Sequence, residues 1–325
     1  MSEARAGDRG EASALKLGIY TGPQHVDWPT LRDLWLYADG AGFHSAWLRD
    51  HLMPLRGELD GDHLEPWTLI ASLAAITKNV QIGHLVTANT LRHPALLAKM
   101  AATVDHVANG RLVVGIGTGY FVPEHERYGI PLPEKAIRAE MLDESCTILK
   151  SMWGPGRTSF AGKHYTITDA PASPKPVNGD IPLLLGGAGE RLLRNAAAHA
   201  DLWNMPDGKA GIWPERFREK LETLHRNCEA IGRDPGEIET TMMFHIICDE
   251  DPKVVKQRRD AMKEARGFDE RLTDTHTLAG TPDQIVEQLQ AWEKHGLQHL
   301  MVALTNGLNY ELVPLLAERV LPHVR

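Results

Sequence analysis

Eight strand-like runs, alternating with amphipathic helical stretches along nearly the whole chain, predict a single (β/α)8 TIM barrel of the α/β class with insertion segments. Two further observations support this. No domain break interrupts the alternation, and glycine-rich or polar stretches stand directly after several strands, where the loops of a barrel gather at one face. Eight strands favour closure over an open doubly wound sheet, in which about five or six are usual.

Each element follows from local pattern. The first strand is read at residues 15–21, and a helix from about Pro29 carries Leu31, Leu34, Trp35 and Ala38 on one face until Gly40 and Gly42 stop it. The second strand, 45–48, ends in Arg49-Asp50-His51, and a helix follows at 66–77. Strand three is expected at 80–86 and strand four at 112–116. Between them Leu96, Leu97, Met100, Ala101 and Val104 trace a stripe expected to pack on the sheet.

A loop at 120–133 leads to a helix at 134–153 with Ile137, Met141, Leu142, Ile148 and Leu149 expected inward. Residues 159–167 read as an inserted hairpin and 171–182 as a proline-rich connection. Strand five (183–185) runs into Gly186-Gly-Ala-Gly189 and a helix to Ala200; strand six is 202–203, followed by a helix at 214–231. Strand seven (240–248), a helix at 252–266, a helix at 283–295, a last strand at 299–304 and a closing helix complete the count.

Composition narrows the function. The chain has 325 residues, 42% hydrophobic and 24% charged, as in ordinary soluble proteins, and no apolar run long enough to span a bilayer. The charged, small-residue start at 1–14 reads as a disordered tail where a signal peptide would need an apolar stretch, so a cytoplasmic location is expected. Cys146, Cys228 and Cys248 are scattered and unpaired by spacing, which argues against a disulfide framework and a zinc site. A net charge of −8 offers no footprint for nucleic acid, leaving a small molecule as the expected partner.

Four strand ends carry candidate chemistry. Asp50-His51 combines a group able to exchange a proton near neutral pH with a carboxylate able to orient it, or is simply a solvated loop pair. The stretch 87–94, beginning with Thr87 and Asn89, is small and polar enough to admit a planar ligand. Gly115-Ile-Gly-Thr118-Gly119 follows the fourth strand and is not followed by a helix, so it reads as room for a ligand beside the backbone rather than a dinucleotide fingerprint. Gly186, Gly187, Ala188 and Gly189 open a helix, where unpaired amides and Arg191 suit a phosphate. No His-x-His, paired zinc histidines or Gly-x-Ser-x-Gly occurs, so no metal ligand is assigned.

The stretches 49–51, 90–105, 110–119, 124–130, 185–191 and 200–204 together resemble the luciferase-like monooxygenase superfamily, in particular its coenzyme F420-dependent oxidoreductase branch. The resemblance covers nearly the whole chain after the tail. It implies a barrel with an insertion after strand seven, a homodimer, and a non-prolyl cis peptide at Leu85-Val86 behind the cofactor ring. It further implies that His51 is the acid/base group oriented by Asp50, and that Thr87, Asn89, Thr118 and Gly119 lie along the cofactor. The phosphate would fall to Gly186–Gly189 and Arg191. Coenzyme F420 is the expected cofactor and FMN the alternative, which would turn the protein into an oxygen-using monooxygenase. Related sugar-phosphate dehydrogenases have a glutamate where Tyr120 stands, so their substrate is not carried over. A non-catalytic flavin-binding barrel and a cofactor-free isomerase or aldolase are the other readings.

Overall fold

A computed structural model describes residues 15–55, 57–206, 213–266, 277–304 and 310–324. The tail expected at 1–14 and residues 267–276 lie outside the described residues. In order come β1 (Lys16–Thr21), α1 (Trp28–Ala41), β2 (Ser45–Leu48), α2 (Pro66–Ile76), β3 (Gln81–His84), β4 (Thr87–Ala88), α3 (Pro94–Val107) and β5 (Leu112–Gly117). Next are α4 (Val122–Tyr128), α5 (Lys135–Trp153), β6 (Arg157–Ala161), β7 (Thr166–Pro171), β8 (Leu183–Gly186), α6 (Glu190–His199), β9 (Leu202–Met205) and α7 (Pro214–Ala230). Last are β10 (Glu239–Cys248), α8 (Pro252–Arg266), β11 (Thr277–Gly280), α9 (Pro282–Lys294), β12 (His299–Leu304) and α10 (Leu312–Arg319).

The ring runs β12-β1-β2-β3-β5-β8-β9-β10 and closes where β10 pairs with β12, every pairing parallel. The chain is thus a closed (β/α)8 barrel. Period-two alternation sorts its side chains. Tyr20, Trp47, Val113, Leu184, Leu202, Met301 and Ala303 fill the barrel, while their neighbours Leu183, Leu185, Leu300 and Val302 join the larger core under the helices. Trp47 needs Gly83 on the next strand, where an added Cβ would stand 2.6 Å from the indole.

Helix ends are specified locally. Asp27 caps α1 by accepting from the Thr30 amide at 2.9 Å, and Gly42 closes it in the left-handed region at φ 87°. Thr281 and Gln284 form a reciprocal capping box on α9. At the end of α1, Asp39 accepts from the amides of Lys78, Asn79 and Val80 at 2.7–3.1 Å, fastening that helix to the entrance of β3.

Two insertions stand where expected: the antiparallel hairpin β6–β7, and α8 with β11 after β10, β11 extending β10 in parallel. Two inward assignments are corrected. Leu96 is 56% exposed, because the buried face of α3 runs through Leu97, Ala98, Ala101 and Val104 and its neighbour lies about 100° away. Ile137 is exposed because it precedes the part of α5 that packs through Ala139, Leu142, Cys146 and Leu149. The expected single strand at 80–86 is broken in two by a cis peptide at Leu85-Val86, as the resemblance implied.

At the N-terminal end of the barrel, β1, β2, β10 and β12 begin with Lys16, Ser45, Glu239 and His299. His299 contacts Glu239 Oε1 through Nδ1 at 2.8 Å and Ser45 Oγ through Nε2 at 2.7 Å; Lys16 donates to Glu239 Oε2 at 2.5 Å. These groups plug the floor beneath the cavity.

Candidate active site

The opposite end of the barrel opens into a cavity of about 470 Å³, a size that takes a cofactor-like tricyclic ring with room for a small partner. Its inner wall is apolar, with Leu85, Val86, Ala88, Met243 and Ala303; polar groups stand around it on several different strand ends. The glycines keep that wall flat. A Cβ on Gly117 would come 2.8 Å from Val86 Cγ2, so the bulge at Leu85-Val86 and the end of β5 can approach each other only with glycine there.

His51 lies just past β2, 7% exposed, and lines the cavity. Its Nδ1 is 3.1 Å from Glu124 Oε2, and the Leu52 amide donates to the other oxygen of the same carboxylate. Burial raises the Glu124 pKa, yet the His51 bond, the His51 charge and the Leu52 amide outweigh it and hold the carboxyl below its usual range. An ionised Glu124 can only accept, so Nδ1 of His51 carries the donated proton and Nε2 is left for exchange. The rings of Tyr120 and Phe121 meet the imidazole edge-on, each with centroids 5.7 Å away, and fix its plane.

Glu124 is itself built in. It sits in α4 beside His125, whose Nδ1 meets the Phe121 carbonyl at 2.8 Å and whose Nε2 meets Thr90 Oγ1 at 2.7 Å. Since a carbonyl can only accept, Nδ1 of His125 donates and Nε2 receives the Thr90 hydroxyl, pinning α4 to the chain just after β4. The Tyr128 hydroxyl closes the other end by donating to the Leu52 carbonyl at 2.9 Å.

Asp50 does not orient His51. Its carboxylate, 1% exposed, receives two bonds from Arg92 at 2.7 and 3.1 Å, and Arg92 also reaches Glu65 at 2.7 Å. Adjacent residues on an extended segment point to opposite sides, so the neighbour of His51 in sequence faces away from it in space. The Asp50–Arg92 pair instead ties the end of β2 to the loop before α3. The burial of both Asp50 and His51 excludes the solvated-loop reading.

Of the other expected cofactor contacts, Leu85, Val86, Thr118, Gly119, Gly186 and Gly187 line the cavity. Thr87 is fully buried behind it and receives the Trp67 indole N–H at 3.2 Å; Asn89 is buried too. Ala188 and Gly189 stand outside the lining, Gly189 as the N-cap of α6. Arg191 turns to Glu140 at 3.6 Å, 44% exposed.

Sequence reasoning missed Glu124, Arg49, Tyr20, Gln24, Asn204 and His245. Arg49 donates to the Tyr20 hydroxyl at 2.9 Å and to Gln24 Oε1 at 3.3 Å, forming one polar side of the mouth. Tyr20, Arg49, Asn204 and His245 all stand at or near the C-terminal end of a barrel strand, and that position alone was the available signal. Among the described residues no group of three or more His, Cys, Asp or Glu is placed to hold a metal, and no helix is long and apolar enough to cross a membrane.

The sequence profile of luciferase-like monooxygenases matches residues 12–299. An F420-dependent glucose-6-phosphate dehydrogenase of Kineococcus radiotolerans is 27% identical over 310 residues, covering 88% of this chain and 90% of that protein. The pyrimidine monooxygenase RutA of Pseudomonas savastanoi pv. phaseolicola is 30% identical over 251 residues, covering 76% of this chain and 68% of its own. In structure, the coenzyme F420-dependent tetrahydromethanopterin reductase of Methanopyrus kandleri superposes with a TM-score of 0.79 at 21% identity, covering 96% of this chain and 100% of that one.

Proposed function

Because the chain belongs to the luciferase-like monooxygenase family and is an enzyme of the flavin- or deazaflavin-dependent oxidoreductase type, we propose that it transfers a hydride between coenzyme F420 and a small organic substrate. The observation that carries this reading is His51: a cavity-lining imidazole with one nitrogen committed to a buried carboxylate and the other left to exchange a proton. When bound, the deazaflavin supplies hydride exchange and no oxygen chemistry. His51 then gives or takes the matching proton at Nε2, while Tyr120 and Phe121 hold the ring in place and Glu124 keeps its tautomer. The apolar bulge at Leu85-Val86 and the glycines of β5 and β8 fit a flat ring, which a side chain on Gly117 would obstruct.

Relatives described as F420-dependent align over 88% to 96% of this chain, more than the 76% of RutA, and this favours the deazaflavin. RutA is nonetheless 30% identical, so FMN with an oxygen-using reaction is the second reading. Glucose 6-phosphate is not proposed as the substrate, since Tyr120 occupies the place of the expected glutamate. Fluorescence titration of the protein with coenzyme F420 and, separately, with FMN tests the choice: tight binding of the deazaflavin alone is expected, and preference for FMN would replace the reading. Histidine 51 is tested by His51→Ala, expected to lower kcat by about 100-fold or more with cofactor affinity within threefold; an unchanged kcat would remove its role.

A further inference from the structure

The cavity mouth holds a fixed cation beside the proton-exchanging imidazole. Past β2 the chain stays extended, the Arg49 amide still donating to the Thr21 carbonyl of β1 at 3.0 Å. Residues two apart on such a segment share a side, so Arg49 and His51 both line the cavity while Asp50 between them turns away to Arg92. That spacing sets their Cα atoms about 7 Å apart. His63 lies within electrostatic reach of both, which places the two groups in one corner.

The Arg49 guanidinium is oriented from behind. Its Nε donates to the Tyr20 hydroxyl at 2.9 Å and its Nη1 to Gln24 Oε1 at 3.3 Å, and the Leu55 amide fixes Gln24 by donating to the same oxygen at 3.1 Å. Tyr20 and Gln24 are both buried, so the cation rests on a firm base. These two oxygens are neutral: they aim the charge without cancelling it. Among the described residues lining the cavity there is no Asp or Glu, although the whole chain carries a net charge of −8. Glu124, the carboxylate behind His51, is committed to His51 and the Leu52 amide. A planar, aimed cation in a partly enclosed cavity selects an oxyanion, and a carboxylate matches it best because both groups are planar and can share paired bonds.

We propose that Arg49 binds a carboxylate of the substrate, which makes the substrate a short organic acid whose reacting carbon lies beside His51, a few bonds from the acid group. This rests on the reading above that the cavity holds a flavin-type cofactor and a small substrate; the flat apolar inner wall takes the ring, and Arg49 stands at the mouth. A charge-assisted contact of this kind corresponds to roughly 10- to 100-fold in affinity.

The test loads the full chain with whichever of coenzyme F420 and FMN it binds and keeps the cofactor oxidised, so that a carbonyl compound binds without being reduced. Two matched pairs are then titrated by cofactor fluorescence: 2-oxobutanoate against 2-oxobutanamide, and propanoate against propanamide. In at least one pair the acid is expected to bind about 10- to 100-fold tighter than its amide. Arg49→Gln should cut that preference at least tenfold while leaving the amide and cofactor affinities within threefold, and Arg49→Lys should restore part of it. Equal loss for acid and amide would mean that Arg49 only supports the wall through Tyr20 and Gln24, and a larger fall in cofactor affinity would assign its charge to the cofactor; either overturns the proposal. No preference for the acid in either pair, or binding of none of the four compounds, sinks this inference alone while the cofactor stays bound. A protein that binds neither cofactor removes the hydride-transfer reading and this inference with it.

Discussion

In the proposed reaction His51 acts through the nitrogen that remains once the other is committed, and that commitment is made by a residue 73 positions away. Glu124 is buried, bonded by the Leu52 amide, and held below the usual carboxylate range, so it stays ionised throughout the neutral region and accepts continuously from His51. It positions the imidazole and does not itself line the cavity. Replacing Glu124 with Gln keeps the shape but lets the amide present either a donor or an acceptor to Nδ1, so the tautomer is no longer enforced. Steady-state kinetics should show kcat falling about 10- to 100-fold with KM unchanged, and Glu124→Asp recovering part of the loss. A proportional rise in KM with constant kcat would place Glu124 in substrate binding instead. The same geometry explains what the sequence hid: Asp50 is the neighbour in the chain, but strand alternation sends it to Arg92, and the partner of His51 is visible only once β2 and α4 are folded together.

Among the elements, the joints between helices and strands depend on a few buried polar groups. Asp39 is one, receiving three consecutive amides at the entrance of β3. Burial raises its pKa, but the amides of Val80, Asn79 and Lys78 and the charge of Arg111 outweigh it and keep the carboxylate ionised. Asp39→Ala leaves these donors without their acceptor, Val80 being fully buried, and should cost about 2–3 kcal/mol in urea unfolding. A loss under about 0.5 kcal/mol would show that water replaces the carboxylate freely. Element types were legible because strands and helices carry different periods, and the Gly42 stop and the Asp27 cap mark α1 from both sides. Faces were less legible: Leu96 and Ile137 satisfy a helical stripe numerically, yet only the packed sheet decides which side of α3 and α5 is inward. The break between β3 and β4 has no signal in hydrophobicity, since Leu85 and Val86 continue the apolar run; only the resemblance announced it.

For the whole molecule, the barrel separates two tasks at its two ends: glycines, His51 and Arg49 open the top, while charge pairs seal the bottom. The floor should set the acid limit of stability. Glu239 is pushed up by burial, but bonds and charges from His299 and Lys16 prevail and lower it to about 2. His299 is held down by burial despite the opposing influence of Glu239, so it favours the neutral ring, and Lys16 is the lasting cation of the network. A carboxylate with a depressed folded pKa contributes stability that is present above its unfolded value of about 4.5 and is lost as pH falls toward 2. His299, also depressed, begins to oppose folding once pH drops below about 6.5, so acid weakens the fold in two stages. The full Glu239 shift would correspond to about 3 kcal/mol, but a neutral His299 withdraws its share of the charge, leaving an expected contribution of about 1–2 kcal/mol. Urea unfolding of Glu239→Gln should therefore fall short of wild type by that amount at pH 7, with the gap closing by about pH 2 because the wild-type carboxylate is then protonated as well. A gap that stayed constant from pH 7 to pH 2 would mean that the side chain supports the floor by shape and neutral hydrogen bonds alone, and that the barrel's acid limit is set elsewhere.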